Sequence, residues 1–226
     1  MATETKLWHL ENFNLFKGMP GDEIEKVATM ASMKRPARGQ HIYFPDDPAT
    51  TIYFLKKGKV KISSMSDSGR ENIKSILNPG ELFGEMALTD EGVRSDSAIA
   101  MDDEVMICAI SMEDMEKMMR SNPNLSLRIT KIIGFRLRKM ERKLEGLIFK
   151  DARTRIVDFL KELAEENGVQ VGTEIMVKHH LTHQDIANLT ASSRQTVTTV
   201  LNELRANNQI YFERKKFLIR NLEELK

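Results

Sequence analysis

The pattern of hydrophobic and polar residues changes character along the chain. Between Gly39 and Ile110, apolar and polar residues alternate in short segments separated by Gly, Pro and Asp, as in TIYFLKKGKVKISSM. Such segments, rich in β-branched and aromatic residues, are typical of strands in an antiparallel roll or barrel. The stretch PGDEIEKVATMASM before them has helical spacing and an acidic first turn. We therefore predict a mainly β domain with a short helical preface over residues 1–122.

After Asn122 the pattern takes on the period of a helix. Basic residues, Arg136 among them, alternate with an apolar stripe at steps of four and three: Ile133, Leu137, Met140, Leu144 and Leu147. This spacing is a heptad seam, by which two helices pack together. The pattern fits either a long helix that packs on its own domain or a coiled coil between two copies of the chain. We predict that residues 123–148 form a dimerisation helix.

The last part of the chain contains start signals for two consecutive helices. Thr182, followed three residues later by Asp185, predicts a capping box at the start of the first helix. Ser192, followed three residues later by Gln195, predicts a second capping box that opens the next helix at about Ser193. Two capped helices joined by a short turn are the arrangement of a helix-turn-helix.

The second of these helices has an apolar face and a polar face. Residues at helical spacing form the buried stripe, namely Val197, Val200, Leu201 and Leu204. Polar residues of the outer face lie mostly in the first two turns, namely Arg194, Gln195, Thr198, Thr199 and, further on, Asn202. The N-terminal residues of such a helix reach base edges in the major groove, where arginine suits guanine and glutamine suits adenine.

A basic hairpin follows the second helix. In YFERKKFLI, two strand-like runs flank Arg214, Lys215 and Lys216, so the positive charge is expected at the hairpin tip. Such a wing can contact DNA phosphates. We therefore predict that residues 149–226 form a winged helix-turn-helix that binds double-stranded DNA.

Composition limits the partners, the metal sites and the disulfide bonds that the chain can have. The formal net charge is +1, so a nucleic-acid partner has to be argued from local clusters. The single cysteine, Cys108, excludes an internal disulfide and a cysteine-rich zinc module, and we interpret it as a small buried hydrophobe. We expect no metal site, because His179, His180 and His183 straddle the junction of a strand and a helix. The chain has neither a signal-peptide pattern nor an apolar run long enough to span a membrane, so a cytoplasmic protein is expected.

Three stretches together resemble the bacterial Crp/Fnr family, the cyclic-AMP receptor and fumarate-nitrate regulator family of transcription factors. FGEMALTDEGVR resembles the phosphate-binding cassette of cyclic-nucleotide domains, with a Glu-x8-Arg spacing from Glu85 to Arg94. RLRKMERKLEGLIFKD resembles the family's long dimerisation helix. LTHQDIANLTASSRQTVTTVLNEL is similar to its helix-turn-helix, including the Ser-Arg opening at Ser193 and Arg194.

The resemblance implies an α+β fold with an N-terminal antiparallel β-roll of the cyclic-nucleotide-binding type, a long dimerisation helix and a C-terminal winged helix-turn-helix. It also implies a homodimer on a near-palindromic operator, with Arg194 reading a guanine and with His183 and Gln184 at phosphates. The loop between Glu165 and Glu174 corresponds to the place where the cyclic-AMP receptor touches RNA polymerase, which makes that enzyme an expected partner. Its residues do not match the receptor's, so activator and repressor both remain open.

The same resemblance implies a ligand site. In the family's nucleotide binders a glutamate accepts hydrogen bonds from the ribose, and an arginine and its neighbour hold the cyclic phosphate; Glu85, Arg94 and Ser95 occupy these positions, and Gly84 lets the backbone approach. The positions that meet adenine in the cyclic-AMP receptor are Met140 and Glu141, and a methionine cannot replace a hydroxyl group there. Cyclic AMP, another nucleotide or small anion, and a ligand-free roll therefore all remain open.

Asp96 introduces a negative charge close to the expected phosphate position. At strand spacing it lies on the same face as Arg94, where it would pair with that arginine in the empty site. Its repulsion of a phosphate would then be about 3 kcal/mol, roughly a hundredfold in affinity. A strand that starts only after Arg94 would instead turn Asp96 outwards.

The sequence contains no nucleophile with a nearby base, no carboxylate pair and no metal-ligand spacing, so we expect no enzymatic activity. The expected function is a dimeric, sequence-specific transcription regulator whose DNA affinity depends on its effector domain. A cyclic-nucleotide-binding regulatory subunit of an enzyme is the alternative.

Overall fold

The structure is a computed structural model that describes residues 15–16, 19–89, 92–213 and 215–225. The described residues form two compact units, one ending at Arg136 and the other beginning at Leu137. Within these ranges, no helix combines the length and the apolar composition needed to cross a membrane.

The first unit contains most of the strands. Its helices are α1 (Gly21–Met30), α2 (Met112–Ser121) and the first part of α3 (Pro123–Phe149), with a 3₁₀ turn at Glu85–Thr89. Its strands are β1 (Ser32–Lys34), β2 (His41–Tyr43), β3 (Thr51–Lys57), β4 (Val60–Met65), β5 (Glu71–Leu77), β6 (Leu82–Phe83), β7 (Ser97–Ala100) and β8 (Met106–Ser111). They form two four-stranded antiparallel sheets in the orders β1-β8-β3-β6 and β2-β7-β4-β5. The predicted antiparallel roll is therefore confirmed.

Strand β3 separates two hydrophobic cores. Tyr53 and Leu55 face a core that is shared by strands of both sheets, whereas Ile52 and Phe54 face a second core built with α1, α2 and the start of α3. All four side chains are buried, which explains why this strand is almost continuously apolar. Cys108 on the neighbouring β8 is buried in the second core, as predicted.

Helix α3 begins at Pro123, where the missing N–H of a proline costs nothing. Its bounds agree to within one residue with those of the helix predicted over residues 123–148, and its role in dimerisation stays a prediction. Leu125 and Ile129 in its first turns are buried in the core of the first unit. The heptad residues that follow are instead between 42% and 68% exposed, namely Ile133, Leu137, Met140, Leu144 and Leu147.

The second unit is a helical domain with a small antiparallel sheet. Its further helices are α4 (Ala152–Asn167), α5 (His183–Leu189) and α6 (Arg194–Ala206). Its strands are β9 (Gly168–Val171), β10 (Glu174–Lys178), β11 (Ile210–Glu213) and β12 (Lys216–Ile219), in the order β11-β12-β10-β9. The predicted apolar stripe of α6 is buried in the core of this unit.

The caps of α5 and α6 confirm one prediction and correct another. The predicted capping box of α5 is present between Thr182 and Asp185. Helix α6, however, is capped by Ser193, whose hydroxyl accepts a hydrogen bond from the backbone N–H of Thr196 at 3.0 Å. The prediction that Ser192 and Gln195 form this cap was wrong, because the hydroxyl of Ser192 is engaged with Thr190 instead.

Candidate ligand site and DNA interface

Gly84 and Arg94 are in direct contact at the start of the 3₁₀ turn. Gly84 has a φ of +77°, and a Cβ at this position would lie 2.9 Å from Arg94 Nη1 and 3.1 Å from the carbonyl oxygen of Thr51. The left-handed conformation and the lack of space both require glycine. The backbone therefore approaches the guanidinium closely, whereas its predicted approach to a ligand stays a prediction.

Arg94 is a buried arginine. Its side chain donates hydrogen bonds from Nη1 to the carbonyl oxygen of Gly84 at 2.9 Å and from Nη2 to that of Thr51. Its Cζ lies 4.5 Å from the centroid of the Tyr43 ring, a cation–π distance. The residue is 4% exposed, its Nε has no hydrogen-bond partner, and no carboxylate of the described residues lies within ion-pair distance. Among the described residues, Arg94 is thus a buried cation without a counter-charge.

Glu85 is already paired. One of its carboxylate oxygens lies 2.6 Å from Nη1 of Arg136 on α3, and the same guanidinium donates to the carbonyl oxygen of Leu82. Ser95, next to Arg94, is exposed. Sequence reasoning missed Arg136, because it counted this residue only among the basic side chains of a helix face. A ligand hydroxyl at Glu85 would have to share this carboxylate with Arg136.

Asp96 does not pair with Arg94, which was one of the two orientations that the sequence left open. Strand β7 begins only at Ser97, so strand alternation does not relate the two residues. The carboxylate of Asp96 instead accepts a hydrogen bond from the Tyr43 hydroxyl at 3.2 Å and one from Lys74 Nζ at 2.8 Å. The negative charge of Asp96 is therefore balanced by Lys74.

Met140 and Glu141 lie in the second unit and are exposed, Met140 to 68%. The four other predicted ligand residues, Gly84, Glu85, Arg94 and Ser95, lie in the first unit. A role for Met140 and Glu141 at the ligand stays a prediction.

The N-terminal turns of α6 present a polar surface. The cap Ser193 and the side chains of Arg194, Gln195 and Thr199 are exposed. Thr198 is partly buried, and its hydroxyl donates to the carbonyl oxygen of Arg194 at 2.9 Å. Donors and acceptors that could meet base edges are thus gathered at one end of one helix.

His183 connects the two helices and the wing. Its Nδ1 lies 2.9 Å from the Thr198 hydroxyl, and its ring packs edge-on against Phe212 of β11. Because the hydroxyl hydrogen of Thr198 is directed to a helix carbonyl, Nδ1 of His183 is the donor and Nε2 of the neutral ring is the acceptor. Gln184 is exposed and donates to Asn188 at 2.9 Å.

Stability of the second unit should depend on the protonation of His183. Burial lowers the pKa of His183, and the positive charge of Arg194 lowers it further. Below the ordinary histidine pKa of about 6.5 the unfolded chain then binds more protons than the folded chain, so stability is full above that pH and falls as the pH drops towards the folded pKa. We expect urea unfolding between pH 7 and 5 to show a larger loss of unfolding free energy for the wild type than for His183→Gln. Equal losses in the two proteins would contradict this expectation.

Arg155 holds the turn between α5 and α6, and sequence reasoning missed it. Its guanidinium donates to the carbonyl oxygens of Thr190 and Ala191, each at 2.9 Å, and to that of Lys150 at 2.7 Å. Ala191 has a φ of +48°, so the turn needs outside support. Arg155 thereby fixes the start of α6 relative to the end of α3.

The wing is a hairpin of β11 and β12, as predicted, with Lys215 in the turn at a φ of +69°. Lys215 is exposed, whereas Arg214 lies outside the described residues. Lys216 belongs to β12, and its ammonium group lies 2.7 Å from a carboxylate oxygen of Glu213. The described part of the wing thus carries both predicted lysines, one of them in an exposed ion pair, and their contact with DNA stays a prediction. Within the described ranges, no three His, Cys, Asp or Glu side chains are grouped as a metal site would require.

Two family models match separate parts of the chain. Residues 33–122 match the family model of the cyclic nucleotide-binding domain, and residues 154–226 match that of the Crp-like helix-turn-helix domain. The CRP-like cAMP-activated global transcriptional regulator of Mycobacterium tuberculosis is 31% identical over 219 residues, 96% of either chain. The global nitrogen regulator of a Synechocystis species is 35% identical over 187 residues, 81% of this chain and 82% of its own length. A mutant CooA structure from Carboxydothermus hydrogenoformans, at 23% identity, has a TM-score of 0.79, covers 98% of this chain and 97% of its own, and supports the fold alone.

Fold and site thus define a DNA-binding regulator with an effector domain of the cyclic-nucleotide-binding type. The chain belongs to the Crp family of transcription regulators. It is a regulator of transcription and not an enzyme, and both the α+β fold and the predicted family are confirmed. Helix-turn-helix regulators of this family bind DNA and act as dimers.

Proposed function

We propose that this protein is a dimeric transcription regulator whose DNA affinity is set by an anionic ligand bound at Arg94. The observation that carries the proposal is the buried guanidinium without a carboxylate partner among the described residues. A buried charge is costly unless it is paired, so an anion beside Arg94 would be stabilised. Gly84, Glu85 and Ser95 would contact the same ligand through backbone, carboxylate and hydroxyl groups. Cyclic AMP is the first candidate, because the M. tuberculosis relative is named as cAMP-activated.

A specific observation also favours a ligand-free effector domain. Arg136 already occupies the carboxylate of Glu85, and Arg94 already donates to two backbone carbonyls. Both groups could therefore be structural. Membership of the family does not by itself decide between the two functions.

Calorimetric titration with cyclic AMP separates these two functions. We expect saturable binding that raises the unfolding temperature, since a ligand that binds only the folded state stabilises it. Cyclic GMP, 5′-AMP and inorganic phosphate, titrated in the same way, report on the base, the cyclic ring and the bare anion. Failure of all four probes to bind at millimolar concentration would favour the ligand-free domain.

Ligand binding can act on DNA affinity through α3. This helix carries Arg136, and the heptad residues Leu137 and Met140 follow directly. A ligand hydroxyl that shares Glu85 weakens the ion pair between Glu85 and Arg136, which changes the forces on the helix within the seam. The mechanism we propose is that such a change alters the spacing between the two recognition helices of a dimer.

The proposed DNA contacts follow the geometry of α6 and the wing. Base edges are assigned to Arg194, Gln195, Thr198 and Thr199, with Ser193 at the helix cap. Phosphates are assigned to Gln184, Lys215 and Lys216, and to His183 with its ring protonated, because Nε2 of the neutral ring is an acceptor. The protein would bind a near-palindromic operator as a homodimer in the cytoplasm. RNA polymerase is the proposed further partner, through the loop between Glu165 and Glu174. The proposed domains are residues 1–122, 123–148 and 149–226.

A second copy of the chain is the proposed cover for the exposed heptad seam. A contiguous apolar stripe of this kind is rarely left open to water. Leu144→Glu should raise the dimer dissociation constant at least about a hundredfold, because each dimer would bury two carboxylates at roughly 1–3 kcal/mol each. Arg142→Glu, on the opposite face of α3, should leave the dimer intact. Sedimentation equilibrium measures both variants, and an unchanged dimer of Leu144→Glu would refute the seam.

A further inference from the structure

Asp96 uses both of its carboxylate oxygens within the first unit. One oxygen accepts from the Tyr43 hydroxyl at 3.2 Å, and the other accepts from Lys74 Nζ at 2.8 Å. The Asp96 side chain is 13% exposed and that of Lys74 is 39% exposed, so this ion pair is screened less than one on the open surface. Asp96 therefore holds two neighbours that come from different strands, β2 and β5.

Tyr43 transmits this arrangement to Arg94. The Arg94 guanidinium lies over the Tyr43 ring, with 4.5 Å between Cζ and the ring centroid. The ring also stacks on Tyr53, with 5.8 Å between the two ring centroids, so two neighbours hold its plane. Burial raises the pKa of the Tyr43 hydroxyl, and the negative charge of Asp96 raises it further. The hydroxyl therefore stays protonated and donates a hydrogen bond to Asp96.

The charges along this chain of contacts balance. Lys74 neutralises Asp96, and Tyr43 is uncharged, so Arg94 alone contributes net charge at its end. If Lys74 were absent, the carboxylate would face the anion site without compensation. If Asp96 were absent, Lys74 would be a free cation and Tyr43 would lose its acceptor.

We propose that Lys74 and Asp96 are a positioning pair for the anion site, which orients Arg94 through Tyr43 and cancels its own charge so that an anion is tolerated there. This inference rests on the proposed function, since it concerns the same ligand. It gives Asp96 a supporting role at the site, where its sequence position alone indicated repulsion. The pair positions Arg94 and is not itself a ligand contact.

The test compares the wild type with Lys74→Met, Asp96→Asn and the double variant. Cyclic AMP affinity by calorimetry should fall about tenfold in Lys74→Met, because the unpaired carboxylate then repels the anion. The double variant should regain the wild-type affinity, since asparagine carries no charge and still accepts from Tyr43. If the double variant stays as weak as Lys74→Met, Lys74 contacts the ligand itself and the proposal fails.

A second measurement needs no bound ligand. Phenylglyoxal modifies exposed arginines, and peptide mass spectrometry follows the modification of Arg94 alone. We expect Arg94 to react several-fold faster in Tyr43→Phe and in Asp96→Ala than in the wild type, and Asp96→Asn to keep it protected. Equal protection in all four proteins would overturn the positioning role. Absence of cyclic AMP binding to the wild type would count against the proposed ligand, while this readout would still decide whether the pair positions Arg94.

Discussion

Arg94→Gln should lower the affinity for the anionic ligand at least about a hundredfold, since hydrogen bonds to charged groups contribute roughly 1.5–3 kcal/mol each and a phosphate would accept more than one. The unliganded protein should change little in stability. Glutamine keeps a donor for the carbonyl oxygen of Gly84 or of Thr51, and the loss of the other bond is offset by removal of a buried cation. Calorimetry gives the dissociation constant, and the ligand-induced shift of the unfolding temperature gives an independent check.

Arg70→Gln is the matched control for this variant. Arg70 lies in the exposed turn before β5, so the same chemical change there removes a charge from the same unit without touching the site. Arg94→Lys keeps the charge but not the two-pronged geometry and should show an intermediate affinity. A dissociation constant for Arg94→Gln that equals that of Arg70→Gln would move the ligand away from Arg94.

The fold was predictable because its signals are local. Alternation and turn residues mark the strands of the first unit, and the steps of four and three mark α3. Strand β3 departs from alternation, with four consecutive buried side chains from Ile52 to Leu55, because it lies between two cores. Such a run identifies a buried strand only after the partners on both faces are known.

The choice of helix cap was less predictable. Ser192 and Ser193 both precede α6, and each has a polar residue three positions later. Ser193 becomes the cap because the hydroxyl of Ser192 is bonded to Thr190 across a turn in which Ala191 adopts a left-handed φ. Sequence spacing alone does not distinguish two neighbouring serines.

The electrostatics of the ligand site could not be derived from the sequence. Lys74 and Asp96 are 22 residues apart, and nothing in either segment marks the other as its partner. Arg136 reaches Glu85 from a helix on which it counted as one basic residue of several. The motif marked Gly84, Glu85 and Arg94 as candidate ligand residues. Only the tertiary structure shows that the charge of Glu85 is already paired, with Arg136.

Arg194→Ala should weaken binding to a selected operator by about 1–3 kcal/mol per half-site and relax the preference at one base pair in each half-site. The physical reason is that a bidentate arginine distinguishes guanine from the other bases, whereas a methyl group does not. Arg194 is exposed at the first position of α6, so the variant leaves the buried stripe of the helix unchanged. Operators selected from random duplexes by the wild type and by the variant, with affinities measured by fluorescence anisotropy, give both quantities.

Two controls separate base reading from charge. Arg205→Ala removes an exposed arginine from the last turn of the same helix and should leave the sequence preference unchanged. Lys215→Gly removes a charge from the wing, and glycine accepts the left-handed φ of this position without strain. It should weaken binding to all DNA sequences alike. The slope of the logarithm of the binding constant against the logarithm of the salt concentration should fall by about one per subunit. If Arg194→Ala also weakens binding to all DNA sequences alike, α6 contacts the phosphate backbone of the DNA and another element contacts the bases.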